Sequence, residues 1–237
     1  MELLKFQKGN AKLDKTIHTF SLPAGHSCPG ADICLAKADR DTGKITDGKN
    51  QEIRCFAASQ EALYTNTRKA RWHNYDLLKE VKTLAKMQKL IKESLPKSAE
   101  IIRVHVSGDF FNQNYFDAWL NTAIANPSIK FYAYTKSVNY WMARTDLIPD
   151  NFRLTGSIGG KHDAIIQRNN LKYAEIILAI DEAEAKGLEI DHDDSHAYDG
   201  HKSFALLVHG TQKKGSVAAS ALTNLRKVGI KGYSKKK

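Results

Sequence analysis

Hydrophobic positions along this chain alternate between two periods. Short β-branched runs predict strands at IIRVHVS (101–107), IKFYAYT (129–135), FRLTGS (152–157), YAEIILA (173–179) and FALLVHG (204–210). Between these runs the apolar spacing turns helical. NTRKARWHNYDLLKEVKTLAKMQKLIKESLP predicts one long amphipathic helix. Leu77, Leu78, Val81, Leu84, Ala85, Ile91 and Leu95 form its stripe, and Pro96 ends it. NQNYFDAWLNTAIANP predicts a helix that buries Tyr115, Phe116, Trp119, Leu120, Ala123 and Ile124. Shorter helices are expected at VNYWMARTD, DAIIQRNN, an exposed DEAEAKG, and SVAASALTNLRKVG.

Strand–helix alternation implies right-handed crossovers and a mostly parallel sheet. The expected fold is therefore α/β: repeated β-α units in one domain over 1–230, with a cysteine-containing loop at 26–60 and a basic disordered tail at 231–237. A partial or distorted barrel and an open doubly wound sheet both fit. In either, ligands gather at the C-terminal ends of the strands. Those ends carry Ser107, Gly108 and Asp109; Thr135, Lys136 and Ser137; Gly159, Gly160, His162 and Asp163; and His209, Gly210, Thr211 and Gln212. One polar, glycine-bearing end is ordinary for an α/β loop. Four on one rim point modestly to a site.

Charge adds a partner class. The chain has 237 residues and a net charge of +10, which favours an anionic partner. Lys79, Lys82, Lys86, Lys89, Lys92 and Lys97 concentrate on the long predicted helix. No arginine-rich or aromatic-interleaved motif accompanies them, so a solvated face with weak nucleic-acid binding is the preferred reading. No apolar run is long enough to span a bilayer, and the first residues lack a signal-peptide core. The expectation is a protein of a reducing cytoplasm without a membrane partner.

All three cysteines fall in HSCPGADICLAKADRDTGKITDGKNQEIRCFAASQEALY (26–64). Five residues separate Cys28 from Cys34 and twenty separate Cys34 from Cys55. Three readings stay open: unrelated buried thiols, a zinc site completed by a histidine, or an iron–sulfur cluster on three cysteines. No CxxC pair is present, but Cys28-Pro29-Gly30 is a turn, a setting that suits thiolate ligands. Three thiolates leave one iron of a four-iron cluster open to a substrate or chelating cofactor. RDTGKITDGKN reads as an exposed flap, and Cys55 as the start of a helix.

EIDHDDSHAYDGH (189–201) is the second unusual stretch, with Asp191, His192, Asp193, Asp194, His196, Asp199 and His201. Alternating His and Asp suits a divalent metal in a hydrolase, but the spacing fits no recognised motif, and an acidic solvated loop is preferred. His196 or His209 would serve as a fourth cluster ligand if it shares the rim. His105 reads as a satisfied core histidine. Phe110, Phe111, Tyr132, Tyr134, Tyr140 and Trp141 read as core by default, and as walls of an apolar cofactor pocket in the alternative.

CPGADIC, CFAASQEALY, HVSGDFFNQNYFDAW and FYAYTKS resemble the motifs of the phage gene-product-88-like family, most clearly from about Thr19 to Thr135. Members look distantly similar to radical S-adenosylmethionine (SAM) proteins. That resemblance implies a [4Fe-4S] cluster held by Cys28, Cys34 and Cys55. It also implies SAM as a second cofactor, with Ser107, Gly108 and Asp109 at the glycine-rich position that meets the SAM amino group. Thr135, Lys136, Gly159 and Gly160 complete the implied cofactor rim. The sequence departs from the usual CxxxCxxC loop, because Cys55 is displaced and the insertion must fold back. Three functions follow: an iron–sulfur protein with radical SAM-like chemistry as the first enzyme class to test, a nucleic-acid-binding protein with a structural Fe-S or Zn site, or a metal-dependent hydrolase using residues 191–201.

Overall fold

The structure, a computed structural model, describes residues 2–9 and 12–230; the basic tail expected at 231–237 lies outside them. Its strands are β1 (Gln7–Lys8), β2 (Ile17–Ser21), β3 (Ala36–Ala38), β4 (Ile45–Asp47), β5 (Ile101–Ser107), β6 (Lys130–Thr135), β7 (Phe152–Ser157), β8 (Tyr173–Ile177), β9 (Glu189–Ile190) and β10 (Phe204–Leu207). Its helices are α1 (Phe56–Leu63), α2 (Thr65–Val81), α3 (Leu84–Ser94), α4 (Gln113–Ile124), α5 (Val138–Met142), α6 (Asp163–Arg168), α7 (Ile180–Ala185), α8 (Ser195–Tyr198) and α9 (Val217–Lys227).

Eight strands form one sheet in the order β1-β2-β5-β6-β7-β8-β10-β9, and β3 and β4 form a separate hairpin. All pairings from β2 to β9 are parallel, and β1 joins β2 antiparallel. The order is nearly that of the sequence, as a partial barrel requires. Among the described residues the sheet stays open, with β1 and β9 at its edges.

Strand alternation sends successive side chains to opposite faces. On the outer face, Ile102, Val104, Phe131, Ala133, Phe152 and Leu154 pack with Met87, Leu90 and Ile91 of α3 and Phe116, Trp119 and Ala123 of α4. A second cluster joins Ile177, Ala205 and Leu207 to Ala183 of α7 and Ala218 and Leu225 of α9. The inner face is divided. Tyr132, Ala174 and Phe204 pack around Ala197 of α8, while the C-terminal halves of the strands line a cavity.

The long helix breaks into α2 and α3 at Lys82, whose φ is +50°. Thr83 caps α3 by accepting from the Lys86 amide. The two halves bury different chemistry: Arg68, Arg71, Asn74 and Leu78 on α2, but Met87, Leu90 and Ile91 on α3. α3 then ends at Ser94, short of Pro96. Ala85 and Ile124, assigned to buried stripes by periodicity, are exposed. β2, the hairpin, β1, β9 and α8 carry too few residues or too little alternation to be read as elements.

Candidate functional site

The inner cavity measures about 150 Å³. Its walls come from the ends of β5, β6, β7, β8 and β10, and from the segment between β2 and α1. Cys28, Cys34 and Cys55 all line it. The sequence separation of Cys55 is bridged by the hairpin, since β3 and β4 fold the chain back on itself. The 40–50 stretch is mostly exposed, as expected of a flap, with only Gly43 buried. The hairpin that carries it is anchored by Ala36, buried with Ala57 and Ala58 of α1, and by Ile45 packed against them. Arg54 pairs with Asp47 at 2.6 Å and locks the return.

The glycines of the rim hold the cysteine loop against the sheet. Ala31 bridges Gly160, the Ile33 amide donates to the Gly159 carbonyl, and the Lys161 amide donates to that of Gly30. A Cβ on Gly30 would collide with the Lys136 carbonyl, and one on Gly159 with the Ile33 side chain. The close approach that these glycines permit is therefore to other parts of the chain: backbone at Gly30 and the Ile33 side chain at Gly159.

Asp109 joins two strand ends. One carboxylate oxygen accepts from the Phe110 amide and the Thr135 hydroxyl, the other from the amides of Lys136 and Ser137. All four bonds are internal to the chain, although burial still raises its pKa. Lys136 donates to the carbonyls of Ser157 and Ile158 and to the Ser157 hydroxyl. Ser107 donates to Glu61 at 3.3 Å, and Gly108 turns the chain with φ of +83°. Ser107, Gly108, Asp109 and Lys136 line the cavity; Thr135, Gly159 and Gly160 stand behind it as loop supports.

Burial is the main influence on the thiols. It raises Cys34, pushes Cys55 up to about 11 and sets Cys28 well above the usual value. Cys55 and Cys34 add to the Cys28 shift and Cys34 adds to that of Cys55, while Lys136 pulls Cys34 down. The Gly25 amide donates to the Cys28 sulfur at 3.3 Å, and the amides of Ala57 and Ala58 work against the Cys55 shift. Cys55 stands at the N-terminus of α1, as its sequence position suggests. Among the described residues, no three His, Cys, Asp or Glu side chains are grouped tightly enough to hold a single ion.

The two histidine candidates separate. His209 lines the cavity, packs on Phe56 at 4.7 Å and donates from Nδ1 to the Leu207 carbonyl at 3.0 Å. That bond fixes the tautomer that keeps a lone pair on Nε2. Burial lowers its pKa to about 4, so the ring is neutral at pH 7. His196 lies away from the cavity, between Asp191 (3.0 Å) and Glu189 (2.9 Å).

The 189–201 run departs from the solvated loop expected of it. Asp191 and Asp194 are fully buried. Asp194 accepts from Lys12, from Arg103 at 2.6 Å, and from the hydroxyls of Tyr132 (2.9 Å) and Tyr134 (3.1 Å). Asp191 takes a second bond from Lys12 at 3.2 Å. Burial works against the Asp194 charge, but Arg103 and Lys12 outweigh it and hold the pKa below the usual range. Asp193, Asp199 and His201 remain exposed. Only the buried aspartates contradict the expectation, because cations distant in sequence reach them.

His105 is core, but only half satisfied. Its Nε2 meets the Tyr115 hydroxyl at 2.9 Å, whereas Nδ1 has no partner among the described residues. Its φ is +76°, and the register of β5 on β2 shifts beside it. Burial lowers its pKa to about 3. Phe110, Phe111, Tyr140 and Trp141 join the outer core, and Tyr134 alone of the aromatic candidates lines the cavity. Arg54, Arg103 and Phe56, unnoticed in the sequence, also line it. A charge inside the β-branched run IIRVHVS was the available signal for Arg103. Lys79, Lys82, Lys86, Lys89, Lys92 and Lys97 are exposed.

A profile of gene product 88 matches residues 3–227. The chain belongs to the gene product 88 family. The Gene 88 protein of Mycobacterium phage L5 is 27% identical over 138 residues, covering 54% of this chain and 51% of that protein. The chain thus aligns with about half the length of that relative. No solved structure matches, so the further likeness of the gene product 88 family to radical SAM proteins gains no support from known folds. No helix among the described residues is long and apolar enough to cross a membrane.

Proposed function

We propose that this gene product 88 protein holds one [4Fe-4S] cluster in the inner cavity through Cys28, Cys34 and Cys55. The supporting observation is that three thiols from separate segments line one cavity at the strand ends. The donor chemistry fits. Burial holds all three thiols protonated, so cluster binding would have to displace their protons, as a cationic centre does. The Gly25 amide at Cys28 and the α1 amides at Cys55 are the N–H partners that thiolate sulfurs of a cluster take. Lys136 supplies positive charge beside Cys34.

A bound cluster would supply one-electron chemistry at an iron without a cysteine. His209, which lines the same cavity, is the residue we assign to that iron. Anaerobic purification with iron and sulfide assays tests the proposal, and colourless, iron-free protein after reconstitution would end it. SAM is the second question. The four internal hydrogen bonds of Asp109 speak against its taking a SAM amine. An EPR spectrum of the reduced cluster that shifts on adding SAM would support SAM-type chemistry, and an unchanged spectrum would remove it.

A further inference from the structure

Cys28 stands between two concavities. It lines the inner cavity, and it also lines a cleft of about 310 Å³ on the outer side of the cysteine loop. Cys34 and Cys55 line only the first of these. Lys37 from β3, Lys79 from α2 and Lys161 beyond β7 bound the cleft, with Tyr75 and Phe111 as its apolar wall. All three lysines are exposed, and no Asp or Glu is among the lining residues described. Three segments far apart in sequence therefore bring one sign of charge to the place where a cavity thiol comes nearest the surface.

We propose that this cleft docks an acidic one-electron carrier protein, which delivers its electron through Cys28. The proposal rests on the cluster reading above. One electron leaves the reduced carrier and enters the cluster; no bond forms or breaks. Cys28 would be both a cluster ligand and a wall of the docking cleft, giving a covalent route inward. The lysines steer an acidic partner and orient it, which raises the association rate at low salt. The ring faces argue against a nucleic-acid strand. Phe111 stacks on Tyr115 at 4.4 Å, Tyr75 meets Phe111 edge-on, and Lys79 lies 6.0 and 5.6 Å from the centres of Tyr75 and Phe111. Bases need open aromatic platforms.

The test uses the full chain, cluster-loaded anaerobically, and a reduced plant-type [2Fe-2S] ferredoxin as the probe. Stopped-flow absorbance follows cluster reduction. The rate is expected to fall steeply with salt, and K37E/K79E is expected to slow it about tenfold or more at low salt. Reduction by dithionite and the melting temperature should stay at wild-type values. Lys161 is left in place because it donates to the Pro29 carbonyl and so supports the cysteine loop. Equal, salt-independent rates for variant and wild type would overturn the proposal. So would tight binding of a single-stranded oligonucleotide without any ferredoxin reaction. Wild-type protein that takes up no iron would remove the cluster reading and the proposal together, and is recognised before any carrier is added.

Discussion

The cysteine segment and the 189–201 run are alike as sequences, since both are polar and both concentrate side chains that bind metals. They reach the same inner face of the sheet and become opposites. Around Asp194, a lysine, an arginine and two tyrosines meet one carboxylate, and the polar groups close on each other. Around the cysteines, the thiols face a common cavity. A donor-rich run becomes a plug when the fold brings counter-charges to it, and a site when the fold leaves space in front of it.

The sharpest way to break this contrast is Asp194→Ala. Removing a buried carboxylate that Lys12, Arg103, Tyr132 and Tyr134 all bond should cost about 3–5 kcal/mol in chemical denaturation. Iron uptake by the fraction that folds should be unaffected. A loss under about 1 kcal/mol would mean that the run is no plug.

Gly30→Ala comes next. A Cβ there meets the Lys136 backbone carbonyl, which cannot swing aside as a side chain would. Overpacking of this kind costs about 1–3 kcal/mol. Because the strain falls on the cysteine loop, iron per chain should fall with stability, unlike in the Asp194 variant.

Acid should separate the regions by pH window. His209 has its pKa lowered to about 4 and His105 to about 3, so each binds fewer protons folded than unfolded. Their stabilisation is complete above the ordinary histidine value of about 6.5, and is lost as pH falls through the folded values. The depressed Asp194 contributes above the ordinary aspartate value of about 3.9, and that part is lost only below it. Denaturation midpoints measured from pH 7 to 3 should therefore fall in two stages. His209→Gln should flatten the upper one.

The smallest stability effects belong to the cysteines. Cys28→Ala, Cys34→Ala and Cys55→Ala should each cost about 1 kcal/mol or less. Each should nonetheless abolish stoichiometric iron and sulfide after reconstitution. His209→Ala should retain the iron and change only the EPR signal. Full iron in any cysteine variant would exclude that thiol as a ligand.

The chain's local pattern carried a good part of the fold. β5 and β7 coincide with their β-branched runs, and β6, β8 and β10 are shortened versions of theirs. β10 stops early because His209 and Gly210 turn the chain, with Gly210 at φ of +76°. The break between α2 and α3 at Lys82 and the capping Thr83 went unread, because the apolar stripe runs across them. β2 escaped notice because IHTFS is buried at nearly every position and so does not alternate.

By itself, the sequence determined the βα order, the mostly parallel sheet, the rim on which a site would lie, and the three thiols worth following. These depend on periods of two and 3.6 residues and on composition, which are local properties. Only the tertiary structure decided that Cys55 returns to the cavity of Cys28 and Cys34. It also decided that His209 faces that cavity while His196 does not, and that Lys12 and Arg103 neutralise the aspartate run. Each of these depends on contacts between segments far apart in the chain: the hairpin that reverses the excursion, the glycines that seat one loop on another, and the pairing of β2 with β5. No local pattern encodes such distances, because they are set by how the sheet curves and by what packs against it.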